Sequence, residues 1–378
     1  MAQSIIFRRS GGININIQDL ITSFIALFLA LVFNDLKVNI LDNVILKIAL
    51  HKMEKKKYKV YGVKRRSSII NTSRIDDIYN DINSKSNFVL FYGDLTDSSS
   101  ILSLIKKTKP DEIYNLAAQS HVQVSFEVPE YSAEVNSVGT LRILEAIKNL
   151  NLEKKIKFYQ AGTSEMFGKT KEKFQSENTP FYPASPYGVS KVFAHWITIN
   201  YREAYNIFAC NGVLFNHESP IRGETFVTKK IIQGLIRIKK GNQKKLFLGN
   251  LYSKRDWGHA RDYVEAMWKM LQQKKPADYV IATGKTFTIK EFVDKAAKKI
   301  GFKIRWVGNG VNEKAIDIKN KKVIIECKRR YFRPVEVDYL KGNANKAKKL
   351  LKWYPKTSLD KLIDEMIRYE LKFYNDKL

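Results

Sequence analysis

The sequence predicts an α/β fold built on a doubly wound parallel sheet, with a smaller mixed α/β portion at the C-terminal end. Three observations predict it. Short runs rich in β-branched and aromatic residues alternate with helical segments of roughly 10–15 residues, the pattern of βαβ units. The alternation is regular from residue 58 to about residue 216 and loosens afterwards. Hydrophobic residues make up 44% of the 378 residues, enough to cover both faces of such a sheet.

The elements follow in order. "YKVYGV" from residue 58 and "FVLFYGDL" at 88–95 read as strands. "SSSILSLIKKTKP" reads as a capped helix stopped by Pro110, and "DEIYNLAA" as a short apolar strand. From Pro129 to Leu150 the residues Val135, Val138, Leu141, Ile143, Leu144 and Ile147 recur at helical spacing. "KIKFYQAG" is again a strand, 186–205 a helix and "FACNGVLF" a strand. Right-handed crossovers between such strands give a Rossmann-like arrangement. Beyond residue 217, helical segments (226–240, 259–273, 288–300, 357–375) mix with short strands (245–248, 278–282, 303–307). "NEKAIDIKNKKVIIECKRR" at 312–330 reads as a polar loop ending in a strand at its "VII". No internal repeat occurs.

The formal net charge is +28, but the lysines are spread along the chain without a long basic tail. That pattern is solvated surface charge, so no nucleic-acid partner is expected. Two cysteines, Cys210 and Cys327, are too few and too far apart for a disulfide framework or a zinc site, and a reducing, cytoplasmic setting fits. The apolar run "ITSFIALFLALVF" at 21–33 is too short for a comfortable membrane span, so no membrane partner is expected. Two readings of it stay open: a first strand or an artefactual segment, or a signal or anchor preceded by Arg8 and Arg9.

Chemistry concentrates in two stretches. In "SPYGVSK", Tyr187 and Lys191 stand four apart and share a helix face. An ammonium beside a phenol favours the phenolate, which makes a base able to take a proton from a sugar hydroxyl while hydride leaves the same carbon. Taken alone, such a pair is ordinary helix surface. Its weight comes from the Ser-Pro helix start and from "QAGTSEMFG" one βα unit earlier. There Thr163 and Glu165 follow a strand, two apart and so on one side, where ligands of open α/β sheets bind. A carboxylate at that place can remove a carbon-bound proton beside a carbonyl, and Thr163 can hold the reacting hydroxyl. The plain alternative is a Thr and a Glu that merely begin a loop.

From about Tyr58 onward the chain resembles the GDP-mannose 4,6-dehydratase family, of the extended short-chain dehydrogenase/reductase class. The resemblance is carried by "VKRRSSIINTSRID", "FYGDLTD", "YNLAAQSHV", "PEYSAEVNSVGTLRILEAI", "FYQAGTSEMFG", "PFYPASPYGVSK", "ACNGVLFNHESPIRGETFVTKKI", "RDWGHARDYVEAMW" and "RYFRPVEVDYL". It implies three segments: a divergent start at 1–57, an NADP-binding Rossmann-like domain at 58–216, and a mainly sugar-nucleotide-binding portion at 217–378. It also implies a redox-neutral dehydration of GDP-mannose to GDP-4-keto-6-deoxymannose, early in the synthesis of GDP-fucose or a related deoxyhexose. In that scheme Tyr187 takes the C4 hydroxyl proton as hydride passes to NADP+, and Glu165 takes the C5 proton. Water leaves from C6, with Thr163 near the reacting groups, the hydride returns to C6, and Lys191 also grips the nicotinamide ribose.

The resemblance assigns further contacts. Lys64, Arg65 and Arg66 end a strand where an NAD-preferring site would place an acid, so the cluster suits the 2′-phosphate of NADP. Asp94 and Leu95 match an adenine contact; Leu116, Ala117, Ala118, Gln119 and Ser120 match a loop along the cofactor. Tyr131, His217 and Arg222 match further cofactor contacts, and Asn216, Lys230, Arg255, Arg333 and Glu336 match contacts to GDP. Arginine suits a diphosphate through its fork of donors. The family forms dimers and tetramers, so a homo-oligomer is expected, with the arginine loop at 65–66 near that contact.

One part of the pattern is missing. Members of the family begin with a strand and a glycine loop that lets backbone approach a pyrophosphate. Counting back from "KVYGVKRR", its glycine places hold Asn39, Asp42 and Ile45, and no glycine occurs between Gly12 and Gly62. Two explanations compete: a shifted or degraded gene start fused to an intact remainder, or a divergent member with weakened cofactor binding. Either way weak NADP binding is expected. The alternatives to an active dehydratase are an impaired family member acting as a subunit, and another nucleotide-sugar epimerase or reductase. Glu165 beside Thr163 argues against the latter, because a simple epimerase needs no carbon base there.

Overall fold

The computed structural model describes the backbone of Leu27–Ala30 and Lys37–Ile40, residues 58–65 and residues 88–375. The strands are β1 (Leu27–Ala30), β2 (Lys37–Ile40), β3 (Lys59–Lys64), β4 (Phe88–Tyr92), β5 (Glu112–Asn115), β6 (Lys157–Thr163) and β7 (Phe208–Leu214). There follow β8 (Asn216–Glu218), β9 (Leu246–Leu248), β10 (Lys254–Arg255), β11 (Trp257–His259), β12 (Tyr279–Ile281), β13 (Phe287–Thr288), β14 (Ile304–Val307), β15 (Lys314–Asp317) and β16 (Lys322–Cys327).

The main sheet is parallel from β4 through β3, β2, β5, β6 and β7 to β12, as the sequence predicts. β1 departs from that pattern and pairs antiparallel with β3, Leu27 opposite Lys64 and Ala30 opposite Tyr61. It supplies a strand inside the 21–33 run; the rest of that run lies outside the described residues. The strand order reverses between β2 and β5, where Asn39 faces Ile113 and Ile40 faces Tyr114. Such a reversal opens a crevice beyond the carboxyl ends of the strands. β5 and β6 are buried along nearly their whole length, consistent with helices on both faces.

Local sequence sets the helix ends. Asp97 caps Ser98–Thr108 by accepting from the Ser99 and Ser100 amides, and Lys109 ends it in a left-handed conformation (φ 42°) just before Pro110. Ser185 caps Pro186–Tyr205, with Pro186 pre-set for the first turn. The single helix expected over Pro129–Leu150 is interrupted instead. Pro129–Ala133 and Gly139–Asn149 flank a π turn at Glu134–Val138. Its extra residue accompanies the inward turn of Asn136, which apolar periodicity cannot register.

The C-terminal part has its own core, in which Val227–Lys239, Ile289–Ile300 and Leu359–Asn375 pack beside the sheet β14-β15-β16-β9. The loop expected before "VII" is half of a hairpin. β15 and β16 pair antiparallel, with Ala315 and Asp317 buried alternately and Lys321 at φ 54° in the turn. The short alternation K-A-I-D is masked in the sequence by its charged neighbours. The chain also crosses back: β12 pairs with β7, and Ala260–Leu271 packs in the core of the large sheet.

Candidate functional site

A cavity of about 860 Å³ opens beyond the carboxyl ends of β5, β6 and β7, where the sheet topology places ligands. Thr163 closes β6, and its Oγ1 accepts from the Glu165 amide at 3.3 Å across a single 3₁₀ turn. Tyr187 and Lys191 enter from the helix Pro186–Tyr205. All four line this one cavity and all four are at least nine-tenths buried. Lys191 Nζ donates to the Ala161 carbonyl of β6 at 3.0 Å, which ties its helix to that strand end.

Gly188 explains how closely the helix approaches. A Cβ there would stand 2.8 Å from the Glu165 carbonyl oxygen and 3.0 Å from Pro183 Cβ. The glycine of "SPYGVSK" lets the helix start lie against the Glu165 turn.

The opposite wall is basic and comes from the C-terminal part. Asn216, Lys230, Arg255, Arg333 and Glu336 all line the cavity. Arg255 donates to the Val337 carbonyl at 2.6 Å and stands 3.3 Å from Glu336, and burial pulls its pKa down. Arg333 reaches across to Glu165 at 3.4 Å. Lys230 lies over the Tyr331 ring at 3.9 Å, and burial, with the Arg330 guanidinium, pulls its pKa to about 8. The Asn216 side-chain oxygen is buried with no hydrogen-bond partner among the described residues.

The residues expected along a cofactor divide into groups. Leu116, Ala118, Ser120, His217 and Arg222 line the cavity with Tyr187 and Lys191. His217 Nδ1 meets the Phe215 carbonyl oxygen at 3.1 Å; burial, with Arg222, pushes its pKa to about 4, so the ring is neutral. Arg222 pairs with the buried Glu218 at 3.3 Å and stacks on Phe226. Arg65 donates to the Tyr131 hydroxyl at 2.9 Å, joining two expected contacts 66 residues apart. Ala117 and Leu95 instead lie in the core, and the Asp94 carboxylate is engaged by the Thr96 amide and hydroxyl. Gln119 bonds the His121 carbonyl and Ser132 rather than facing the cavity. Arg66, Asp42 and Ile45 lie outside the described residues.

Sequence reasoning missed the polar frame behind these groups. Asn136 accepts from the Gln119 amide and donates to Gln119 O and Ser190 Oγ. Ser190 Oγ donates to Tyr187 O, and the Tyr187 amide donates to Ser125 Oγ at 3.2 Å. The loop after β5 and the Tyr187 helix are thereby fixed to each other. The available signal was a polar residue, Asn136, inside an otherwise apolar helical stretch, which must find buried partners. The short side chains of Ala118 and Ser120 line the cavity beside the anchored Lys191, an arrangement that fits the nicotinamide end of a dinucleotide.

Comparison with known proteins gives the family and the fold. The family profile described as GDP-mannose 4,6 dehydratase matches residues 48–366. The match starts ten residues ahead of Tyr58 and just after the places expected for the glycine loop. GDP-mannose 4,6-dehydratase of Vibrio cholerae serotype O1 is 53% identical over 328 residues, 84% of this chain and 88% of that protein. GDP-mannose 4,6 dehydratase of Homo sapiens is 50% identical over 319 residues, 84% of this chain and 86% of that one. Among solved structures, a dTDP-glucose 4,6-dehydratase from Bacillus anthracis in complex with NAD superimposes with a TM-score of 0.71 at 22% identity, covering 88% of this chain and 95% of that one. A UDP-glucose 4-epimerase from Bifidobacterium longum in complex with NAD+ and UDP gives 0.71 at 20%, covering 88% and 96%. At such identities the likeness concerns the fold.

Proposed function

The chain belongs to the GDP-mannose 4,6-dehydratase family, and from that premise we propose that it converts GDP-mannose to GDP-4-keto-6-deoxymannose and water. The observation that carries the reading is the convergence of Thr163, Glu165, Tyr187 and Lys191 on one buried cavity faced by Lys230, Arg255 and Arg333. A bound nicotinamide dinucleotide would supply the hydride acceptor for C4 and return that hydride to C6. Tyr187 takes the proton of the C4 hydroxyl, and Lys191 favours its phenolate form. The new C4 carbonyl acidifies C5; Glu165 removes that proton and hands it to the C6 hydroxyl, which leaves as water, and a proton equivalent to the one taken by Tyr187 is delivered to C5 when hydride adds at C6. Thr163 holds a reacting hydroxyl. C4 is oxidised and C6 reduced, so no net redox change results.

Lys230, Arg255 and Arg333 bind the diphosphate, Glu336 accepts from a ribose hydroxyl, and Asn216 completes the contacts. NADP is the favoured dinucleotide: Arg65, held on Tyr131 at the end of β3, supplies the positive charge a 2′-phosphate requires. Binding is weak, because the residues after β2 carry no glycine. No described helix is long and apolar enough to cross a membrane, and both cysteines are free and buried; a cytoplasmic enzyme in GDP-fucose or related synthesis fits these facts. The active unit is a homo-oligomer. Val189, Phe193 and Trp196 are exposed in one stripe on the helix that carries Tyr187, and Lys191, which is buried, is the sole lysine or arginine between Pro186 and Tyr201. A face without charge lets two copies of a +28 chain meet without opposing lysines.

The test is incubation of the purified chain with GDP-mannose and NADP+, read by mass and NMR spectra. A product lighter by one water with a ketone at C4 is expected. Binding of GDP-mannose without dehydration, even with saturating cofactor, would favour an impaired subunit. Epimerised GDP-hexose as the product would overturn the reading.

A further inference from the structure

The turn that joins β5 to the helix Val122–Glu127 sets an imidazole in the cavity wall that the scheme above does not use. His121 Nδ1 accepts from the Val124 amide at 3.3 Å. With Nδ1 an acceptor, the neutral ring carries its proton on Nε2. Burial, and after it the Arg333 and Arg222 guanidiniums, push its pKa down to about 4, so the ring is neutral near pH 7. Nε2–H therefore offers a donor without charge, and it meets no acceptor among the described residues.

The ring is held in place on several sides. Its backbone carbonyl accepts from Gln119 Nε2 at 3.2 Å and from the Ser125 amide at 3.1 Å. Ser125 Oγ in turn accepts from the Tyr187 amide, which fixes the turn relative to the proposed base. Phe226, on the far wall, packs its ring 5.9 Å from the imidazole centroid and carries Arg222 on its face. A group supported this way holds its direction without a bound ligand.

We propose, resting on the dehydratase reading, that His121 is a positioning residue for the hexose, its Nε2–H donating to a sugar hydroxyl oxygen beside Glu165 and Arg333. The chemistry chooses the hexose over the diphosphate. Three cations already face the diphosphate, whereas a neutral hydroxyl is matched by a neutral donor, and an imidazolium between two guanidiniums is disfavoured. The competing role is purely local: His121 caps the first turn of Val122–Glu127.

Two substitutions separate the roles. His121→Asn keeps a capping oxygen for the Val124 amide but withdraws the donor from the cavity. His121→Phe loses both. Equilibrium binding of GDP and of GDP-mannose is measured by calorimetry for each variant and the parent chain, with no turnover required. Both variants should bind GDP-mannose about fivefold to tenfold more weakly, the size of one hydrogen bond, and bind GDP as the parent does. His121→Asn binding GDP-mannose as tightly as the parent, with only His121→Phe impaired, would reduce His121 to a cap and overturn the proposal. Equal loss for both ligands would overturn it too, since the contact would not be to the sugar. A parent chain that binds neither ligand would instead overturn the dehydratase reading on which the proposal stands.

Discussion

Arg333 Nη1 stands 3.4 Å from Glu165 Oε1, so a side chain from the C-terminal part meets the carboxylate that follows β6 across the cavity. Arg333 is also within 3.9 Å of Glu336, which itself pairs with Arg255. The carboxylate proposed to work on carbon and the guanidiniums proposed to hold the diphosphate thus form one connected group.

Glu165→Gln tests the chemical end of that group. It keeps the size of the side chain and its contact with Arg333 but removes the base. The turnover number should fall by about 10²–10⁴, the range for loss of a general base, while GDP-mannose affinity changes little. Incorporation of solvent deuterium at C5 should vanish in parallel. Retained exchange at C5 would assign the proton transfer to another residue.

Lys230 tests the diphosphate end through pH. Its pKa is pulled from 10.5 to about 8, first by burial and then by Arg330, so it is mostly protonated at pH 7. A bound anion favours the ammonium, so affinity for GDP should be flat below pH 8 and fall above it, by up to about tenfold per pH unit. Lys230→Arg should stay flat through pH 9. The same shift has the opposite sign for folding. The buried ammonium opposes folding fully below pH 8, and that opposition is relieved as pH rises from 8 toward 10.5.

Gly188 tests the approach of the two catalytic elements. A methyl group there meets the Glu165 carbonyl at 2.8 Å, and backbone cannot yield as a side-chain tip does. Gly188→Ala should cost about 1–3 kcal/mol in urea unfolding, as overpacking does, and should depress turnover more than nucleotide affinity. Unchanged stability would show that the helix has room to shift.

Much of this architecture was legible in the sequence because it rests on periodicity and on turn chemistry. β3 to β7 stand where β-branched runs predict them, and the Ser-Pro start of Pro186–Tyr205 is written in its first two residues. The convergence of Thr163, Glu165, Tyr187 and Lys191 followed from strand ends and helix faces. Three features were not legible. The π turn depends on where Asn136 finds partners, which lie 17 and 54 residues away. β15 is too short for its alternation to stand out among lysines. The Gln119 side chain turns toward Ser132 and the His121 carbonyl because of tertiary neighbours, not local pattern.

Trp196 tests the oligomer. It is 58% exposed on the Tyr187 helix, in line with Val189 at 56% and Phe193 at 43%, so one face of that helix presents three apolar side chains to solvent. Sedimentation of the parent chain should show a dimer or larger species at micromolar concentration. Trp196→Glu places like charges opposite each other across a two-fold contact and should shift the chain to monomer. A parent chain that sediments as a monomer would leave this face without the proposed occupant.

The remaining prediction concerns the start of the nucleotide-binding fold. β2 runs parallel between β3 and β5 and reaches Ile40 opposite Tyr114, so the carboxyl ends of β2 and β5 share one end of the sheet. A pyrophosphate at such a strand end is bound by backbone amides, which Gly allows and β-branched or acidic side chains oppose. Counted back from "KVYGVKRR", the glycine places fall on Asn39, which lies inside β2 rather than beyond it, and on Asp42 and Ile45, outside the described residues. The parent chain should bind NADP weakly, and replacing the three residues by glycine should tighten binding at least tenfold, since Asp42→Gly alone removes a negative charge from that stretch of the chain. Fluorescence titration with NADPH reads both. Tight binding by the parent chain, unimproved by the glycines, would mean that the cofactor is held from the β5, β6 and β7 side and that a glycine loop is dispensable in this fold.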